Sequence, residues 1–140
     1  MKSFYTLQEA IEALQQPVEL SVEVRERMDR SVAFLQSYLD KATSPVYGVN
    51  TGFGSLQNVE ISREDLSALQ ENLLITHAAG VGKPLSFELV RNMLWLKMLN
   101  MSKGYSAIRP EIFEKLSAMY NQGWFPVVTE QGSLGASGDL

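Results

Sequence analysis

The segment QGSLGASGDL, residues 131–140, contains a tripeptide that could build a reactive group from its own atoms. Ser137 lies between Ala136 and Gly138, and glycine and alanine permit a close approach of backbone atoms. The Gly138 amide nitrogen could attack the Ala136 carbonyl. Loss of water from that ring, and of water from Ser137, would leave an exocyclic methylene on a conjugated imidazolone. Such a group is a strong electrophile, whereas the uncyclised tripeptide is not.

Two other interpretations of this segment compete with ring closure: a flexible connector and the active-site turn of a serine hydrolase. Loops of Gly, Ser and Ala are usually flexible connectors. The G-x-S-x-G elbow of a serine hydrolase is not present, because Asp139 stands where the second glycine belongs. A hydrolase triad would also have to use His77, the only histidine in the chain. The sequence therefore disfavours a serine hydrolase.

Three stretches together resemble the aromatic amino acid ammonia-lyases and aminomutases. GSLGASGDL is similar to the family's prosthetic-group signature, in which Ala-Ser-Gly cyclises to 4-methylideneimidazol-5-one (MIO). VYGVNTGFG, residues 46–54, resembles the family's tyrosine loop, and NLLITHAAGVGKPL, residues 72–85, resembles its substrate-selectivity helix and the following turn. The chain departs from histidine-type members at Thr129 and Leu134, where they commonly have proline and valine. Neither change touches the cyclising triad.

The resemblance assigns roles to particular residues. Ala136, Ser137 and Gly138 would form MIO, with Asp139 assisting the cyclisation, and the group would act without a metal ion or pyridoxal phosphate. Capture of the substrate amine on the MIO methylene makes ammonia a better leaving group, which is covalent catalysis. Tyr47 matches the tyrosine that removes the β-proton.

The glycines around Tyr47 suit a mobile lid. Gly48, Gly52 and Gly54 would let the loop close over the substrate and exclude water, and Gly54 is placed among the substrate-binding residues. Without the resemblance, Tyr47 would be interpreted as an ordinary half-buried aromatic of a short strand.

The pair Thr76-His77 bears on the choice of substrate. A single histidine on the apolar face of a helix is most often a core residue with a satisfied hydrogen bond. Members of the family that act on histidine have Ser-His here, phenylalanine-type members tend to have Phe-Leu, and many tyrosine-type members have His-Leu. The resemblance thus implies that Thr76 and His77 bind the substrate and that the activity converts L-histidine to trans-urocanate and ammonia. A tyrosine or phenylalanine lyase, an aminomutase, and a non-catalytic scaffold module remain as alternatives.

Composition restricts the class of protein further. The chain has 140 residues, a net charge of −4 and no cysteine, which excludes disulfides and thiolate metal sites. The twelve basic residues are scattered, so nucleic acid is not an expected partner, and no apolar run is long enough to cross a membrane. We expect a cytoplasmic protein with an amino acid substrate. The family further implies a homotetramer.

The periodicity of apolar residues predicts a mainly α protein with a few short strands and glycine-rich loops. The resemblance implies that the chain is the N-terminal part of a helical-bundle lyase and that these loops belong to the active site. The predicted elements are a short Thr6-capped helix through Leu14, a helix from Ser21 to about Ala42, a strand at Val46–Val49, a helix from Arg63 to about Ala79 stopped by Gly80, a helix begun by Ser86, and a helix from Pro110 to Gly123. Met93, Met98 and Met101 are predicted to pack in the core.

Residues 1–140 are interpreted as one N-terminal segment of such a lyase, which ends at the MIO-forming loop. Members of the family are several times longer, and their remaining substrate-binding residues lie downstream of this loop. The downstream helical bundle is thus expected to be absent from this chain, and the 140 residues alone are expected to be inactive.

Overall fold

A computed structural model describes residues 1–2, 4–52, 59, 61–62 and 64–132 of the chain. Five helices and two short strands follow one another: α1 (Leu7–Ala13), α2 (Val22–Leu39), α3 (Leu66–His77), β1 (Val81–Pro84), α4 (Phe87–Met101), α5 (Pro110–Asn121) and β2 (Thr129–Gln131). The prediction of a mainly α protein with a few short strands is confirmed.

Local signals place most helix starts correctly. Thr6 caps α1 and Ser86 caps α4, each through a side-chain oxygen that accepts a backbone N–H of the first turn. Pro110 occupies the first turn of α5, where its missing N–H costs nothing. These helices begin where the sequence predicts because their starting signals lie within a few residues.

The chain divides into two compact units. The first comprises Met1–Ser37 and Leu85–Val128, and the second comprises Tyr38–Pro84 and Thr129–Leu140.

The first unit has a dense hydrophobic core. Trp95, Met98 and Phe113 are at most 1% exposed and are among its largest fully buried side chains, and the ring centres of Tyr5 and Trp95 lie 5.3 Å apart in an edge-to-face arrangement. Met98 and Met101 are buried as predicted, whereas Met93 is 40% exposed. Met93 lies outside the arc of α4 that carries the buried Val90, Trp95, Met98 and Met101, so the prediction that it packs in the core was wrong.

Within this first unit, side-chain hydrogen bonds from the end of α5 attach it to the segment that follows α1. The Asn121 side chain accepts the Val18 N–H at 2.8 Å and donates to the Val18 carbonyl at 2.9 Å. The Tyr120 hydroxyl donates to the Leu14 carbonyl at 2.5 Å. These bonds satisfy backbone groups of a segment that has no regular partner strand.

The second unit contains α3 and a two-stranded antiparallel sheet of β1 and β2. Val81 pairs with Gln131 and Pro84 with Thr129, so the register shifts by one residue between the two pairs. Gly82 lies within this irregularity at φ +90°, a backbone conformation that glycine adopts readily. No helix in the described ranges is long and apolar enough to cross a membrane.

Candidate functional site

The first part of the candidate site is the C-terminal end of α3, where Thr76 and His77 lie in contact. The helix runs from Leu66 to His77 and ends at Ala78, two residues before the glycine that was predicted to stop it. Both side chains are exposed, as are nearly all positions of the helix. His77 is therefore not a core histidine.

Hydrogen bonds fix which ring nitrogen of His77 carries the proton. His77 Nδ1 lies 2.9 Å from the Leu73 carbonyl oxygen and 3.0 Å from Thr76 Oγ1. A carbonyl oxygen only accepts, so Nδ1 must donate. The Thr76 hydroxyl donates to the Asn72 carbonyl at 2.8 Å, so its oxygen can accept from Nδ1 as well. The neutral ring then has Nε2 as its accepting nitrogen.

This arrangement gives Thr76 and His77 different roles. The Thr76 hydroxyl is engaged with the helix backbone and with His77, and it thereby orients the ring. His77 contributes an imidazole ring at the end of the helix, with Nδ1 engaged by Leu73 and Thr76 and Nε2 as the accepting nitrogen of the neutral ring.

The second part is the turn that carries Tyr47. Residues 47–49 form a turn, and Val49 N and Asn50 N both donate to the Val46 carbonyl, at 3.1 and 3.2 Å. The predicted strand at Val46–Val49 is therefore wrong, because these amides bond within the turn and not to a neighbouring strand. Gly48 has φ +76°, which only glycine adopts at little cost. Tyr47 is 62% exposed on this turn.

The side chains of Asn50 and Thr51 stabilise the turn by accepting backbone hydrogen bonds, although neither residue was predicted to have a role. Asn50 Oδ1 accepts the Val46 N–H at 2.7 Å, and the buried Thr51 Oγ1 accepts the Gly48 N–H at 3.2 Å. Asparagine and threonine commonly hydrogen-bond the backbone of turns, so the sequence VNTG carried a signal for them. Together they fix the backbone on both sides of Tyr47.

Two backbone bonds connect this turn to the chain beyond residues 53–58. Gly52 N donates to the Val59 carbonyl at 3.1 Å, and Ile61 N donates to the Asn50 carbonyl at 2.9 Å. Gly54, which was predicted to bind the substrate, lies among residues 53–58, outside the described residues.

The third part is the sheet of β1 and β2, which joins α3 to the segment before the predicted cyclising tripeptide. Val81 pairs with Gln131, so the chain beyond α3 runs beside the end of β2. Gly80 does not adopt a positive φ. A methyl carbon at Gly80 would instead lie 2.6 Å from Thr129 Oγ1. The helix has already ended at His77 and Gly80 lacks the left-handed conformation of a helix-stop glycine, so the prediction that Gly80 stops the helix was wrong.

The predicted cyclising residues Ala136, Ser137 and Gly138, and the assisting Asp139, lie outside the described residues. Thr76, His77 and Tyr47 all belong to the second compact unit, within which β2 leads into residues 133–140. Within the part of the chain that the structure describes, no group of three or more His, Cys, Asp or Glu side chains could hold a metal ion.

Comparison with known proteins gives a consistent result. The model of a protein family described as aromatic amino acid lyase matches residues 5–140. A histidine ammonia-lyase of Deinococcus radiodurans is 49% identical over 123 residues, which are 88% of this chain and 23% of that protein. The histidine ammonia-lyase of Symbiobacterium thermophilum is 51% identical over 123 residues, 88% of this chain and 24% of that protein.

Solved structures agree on the fold. A tyrosine aminomutase from Streptomyces globisporus superposes with a TM-score of 0.81 at 27% identity, covering 92% of this chain and 25% of that one. An ergothionase from Treponema denticola superposes with a TM-score of 0.82 at 24% identity, covering 92% of this chain and 26% of that one. This second likeness concerns the fold alone. The chain thus spans about a quarter of the length of the relatives that it matches.

Proposed function

This chain belongs to the aromatic amino acid lyase family, and we propose that the complete protein eliminates ammonia from L-histidine to give trans-urocanate. The observation that carries the choice of substrate is the identity of 49% and 51% to two histidine ammonia-lyases, each over 88% of this chain. The polar pair Thr76-His77 at the end of α3 also suits the polar imidazole of histidine better than the apolar ring of phenylalanine.

A tyrosine lyase or aminomutase is the second candidate, because a phenol is also a polar ring and because a tyrosine aminomutase shares the fold at 27% identity. The higher identity to the histidine enzymes favours histidine.

In this proposal Ala136, Ser137 and Gly138 form MIO, and Asp139 assists the cyclisation. The tripeptide has the residue types that the ring needs, since its flanking side chains are small and serine can supply a methylene by losing water. MIO supplies an electrophile that activates the substrate amine for departure. The reaction requires neither a metal ion nor pyridoxal phosphate.

Tyr47 is proposed as the base that takes the β-proton of the substrate. Two features of its turn support this role. The phenol is exposed, and the backbone on either side of it is held by Asn50 and Thr51. A base on a fixed turn reaches its proton with less loss of conformational freedom than one on a loose loop. Gly54, on the same loop, is proposed to contribute to substrate binding.

We also propose that residues 1–140 act as the N-terminal segment of a longer homotetrameric, cytoplasmic enzyme. The relatives are about four times as long as the matched region, which supports a catalytic site completed by further chain. Leu74 and Ile75 of α3 are 76% and 68% exposed, and large exposed apolar side chains on one helix are typical of a surface that another segment or subunit covers. The absence of cysteine is consistent with a reducing compartment.

The test uses the complete protein. Its intact mass should show a deficit of two waters that maps to the peptide containing Ala136–Gly138, and it should release trans-urocanate and ammonia from L-histidine. Tyr47→Phe should keep the mass deficit but turn over about 10²- to 10⁴-fold more slowly, because it removes a general base. Ser137→Ala should lose both the deficit and the activity. A Ser137→Ala protein as active as the wild type would contradict the proposal.

A further inference from the structure

The exposed side of α4 is apolar, whereas a helix that packs one face on a core ordinarily has a polar outer face. Leu89, Met93 and Leu96 are 46%, 40% and 56% exposed. Their spacing of four and then three residues places them on one face of the helix. That face lies outside the arc that carries the buried residues of α4, which are Val90, Trp95, Met98 and Met101. The helix is therefore apolar both where it meets the core of the first unit and where it is exposed.

The helix α5, which packs against α4, shows the ordinary pattern. It buries Phe113, Ser117 and Tyr120, and its exposed side has the charged Glu111 and Lys115. An amphipathic helix of this kind needs only one covered face. A helix that is apolar on both sides is typical of a position with protein on both sides, so α4 requires a second covering surface that α5 does not.

The small size of this surface favours a segment of the same chain over a separate partner. It consists of three side chains, and the polar Lys97 and Asn100, both exposed, limit it toward the end of the helix. A stable interface between separate proteins usually takes about 20–30 residues from each side and must offset the freedom lost on association. A covalently attached segment loses far less of that freedom, because its docking is intramolecular.

The relatives indicate how much further chain is available. Two histidine ammonia-lyases are matched over 23% and 24% of their length, so about three quarters of each lies outside the matched region. We propose that, in the complete protein, an apolar segment of the same chain beyond residue 140 packs on Leu89, Met93 and Leu96. This inference rests on the proposed function only in that residues 1–140 are the N-terminal segment of a longer chain.

The experiment places the photoreactive amino acid p-benzoylphenylalanine in the complete protein, at Met93 in one variant and at Lys115 in the other. After irradiation, denaturing electrophoresis separates crosslinks within one chain from crosslinks between chains, and mass spectrometry of the digested protein identifies the crosslinked peptide. The Met93 variant should crosslink within its own chain to a peptide beyond residue 140. The Lys115 variant should not form that crosslink, because its side of α5 is polar.

A matched pair of substitutions measures whether the contact stabilises the complete protein. Met93→Glu places a carboxylate against the proposed apolar segment, and an unpaired charge there is costly to bury. Lys115→Glu introduces a carboxylate on the polar face of α5, where substitutions usually change stability little. Met93→Glu should therefore lower the melting temperature clearly more than Lys115→Glu.

The outcomes separate this inference from the proposed function. A crosslink from residue 93 to another copy of the chain, to residues 1–140, or to no peptide at all would overturn the inference. Equal melting temperatures for Met93→Glu and Lys115→Glu would overturn it as well. None of these readouts depends on lyase activity. A wild-type protein that crosslinks as expected but releases no trans-urocanate from L-histidine would overturn the proposed function alone.

Discussion

At the scale of single residues, Thr76 and His77 are joined by a hydrogen bond, and we propose distinct tasks for the two side chains. The resemblance to the family implies that both residues bind the substrate, but it does not separate their roles. The Thr76 hydroxyl donates to the Asn72 carbonyl and accepts a hydrogen bond from Nδ1 of His77, so its proposed contribution to substrate binding passes through the histidine ring. In this proposal Thr76 is a positioning residue.

This difference leads to a prediction for the complete enzyme. Thr76→Val removes an acceptor of the Nδ1 proton without changing side-chain size, whereas Thr76→Ser keeps it. Loss of one such hydrogen bond is worth about 0.5–1.5 kcal/mol, so kcat/KM for L-histidine should fall about 2- to 12-fold in Thr76→Val. Steady-state kinetics on both variants tests this.

His77→Leu serves as the reference variant, because it should shift the preference from histidine toward phenylalanine. If Thr76→Val and Thr76→Ser behave alike, the hydroxyl does not position the ring. If His77→Leu leaves the substrate preference unchanged, His77 does not select the substrate.

At the scale of elements, α1 shows how a short helix is held by its cap. It has seven residues and none is buried, although Ala10 and Ala13 pack partly against the core. Thr6 Oγ1 accepts the Glu9 N–H at 3.3 Å, and the Glu9 carboxylate accepts the Thr6 N–H at 2.8 Å. Lys2 adds an ion pair with Glu9 at 3.3 Å.

The capping box predicts a dependence of α1 on pH. The hydrogen bond from the Thr6 backbone, followed by those from the Thr6 side chain and Lys2, lowers the pKa of Glu9. A carboxyl whose pKa is lower in the folded state stabilises the fold above its unfolded pKa, and this contribution is lost as pH falls through the folded pKa. NMR titration of the Glu9 carboxyl should therefore give a midpoint below the ordinary glutamate value.

Glu9→Gln is the matched variant for this titration. It should abolish the change that acid causes in the NMR signals of α1, while the NMR signals of α5 should respond to acid as in the wild type. An unshifted Glu9 midpoint would show that the capping box does not persist in solution.

At the scale of the whole molecule, the two compact units differ in what holds them together. The first is built around large buried side chains, with Phe113 and Met98 fully enclosed. In the second, α3 is largely exposed. The described residues of this second unit are connected by turns, by backbone hydrogen bonds such as that from Gly52 N to the Val59 carbonyl, and by the pairing of β1 with β2. The residues with proposed chemical roles all belong to this second unit.

Substitution at Phe113 tests the core of the first unit. Phe113 is 0% exposed, so Phe113→Ala should lower the free energy of unfolding by about 3–5 kcal/mol through lost burial and a cavity. Val127→Ala is the control, since Val127 is 79% exposed and its loss should change little. Chemical denaturation of the complete protein, followed by intrinsic tryptophan fluorescence, measures both. A loss below about 1 kcal/mol for Phe113→Ala would contradict this packing.

The sequence alone determined the helical class, most helix starts and the residue types of the proposed chemistry. Caps at Thr6 and Ser86 and the proline at 110 act on neighbouring residues, and the periodicity of α2 already indicates which face is apolar. The electrophile proposed from Ala136, Ser137 and Gly138 likewise depends on three consecutive residues. Such features are local and can be read along the chain.

The tertiary structure alone decided what Gly80, Met93 and Val46–Val49 do. The space that Gly80 must leave is set by Thr129, and the exposure of Met93 depends on which face of α4 meets the core. At Val46–Val49 a turn forms because Val49 N and Asn50 N bond to the Val46 carbonyl, while Asn50 and Thr51 side chains accept the amides of Val46 and Gly48. Each outcome depends on contacts between separate segments or on competition between bonding partners, which hydrophobic periodicity does not encode.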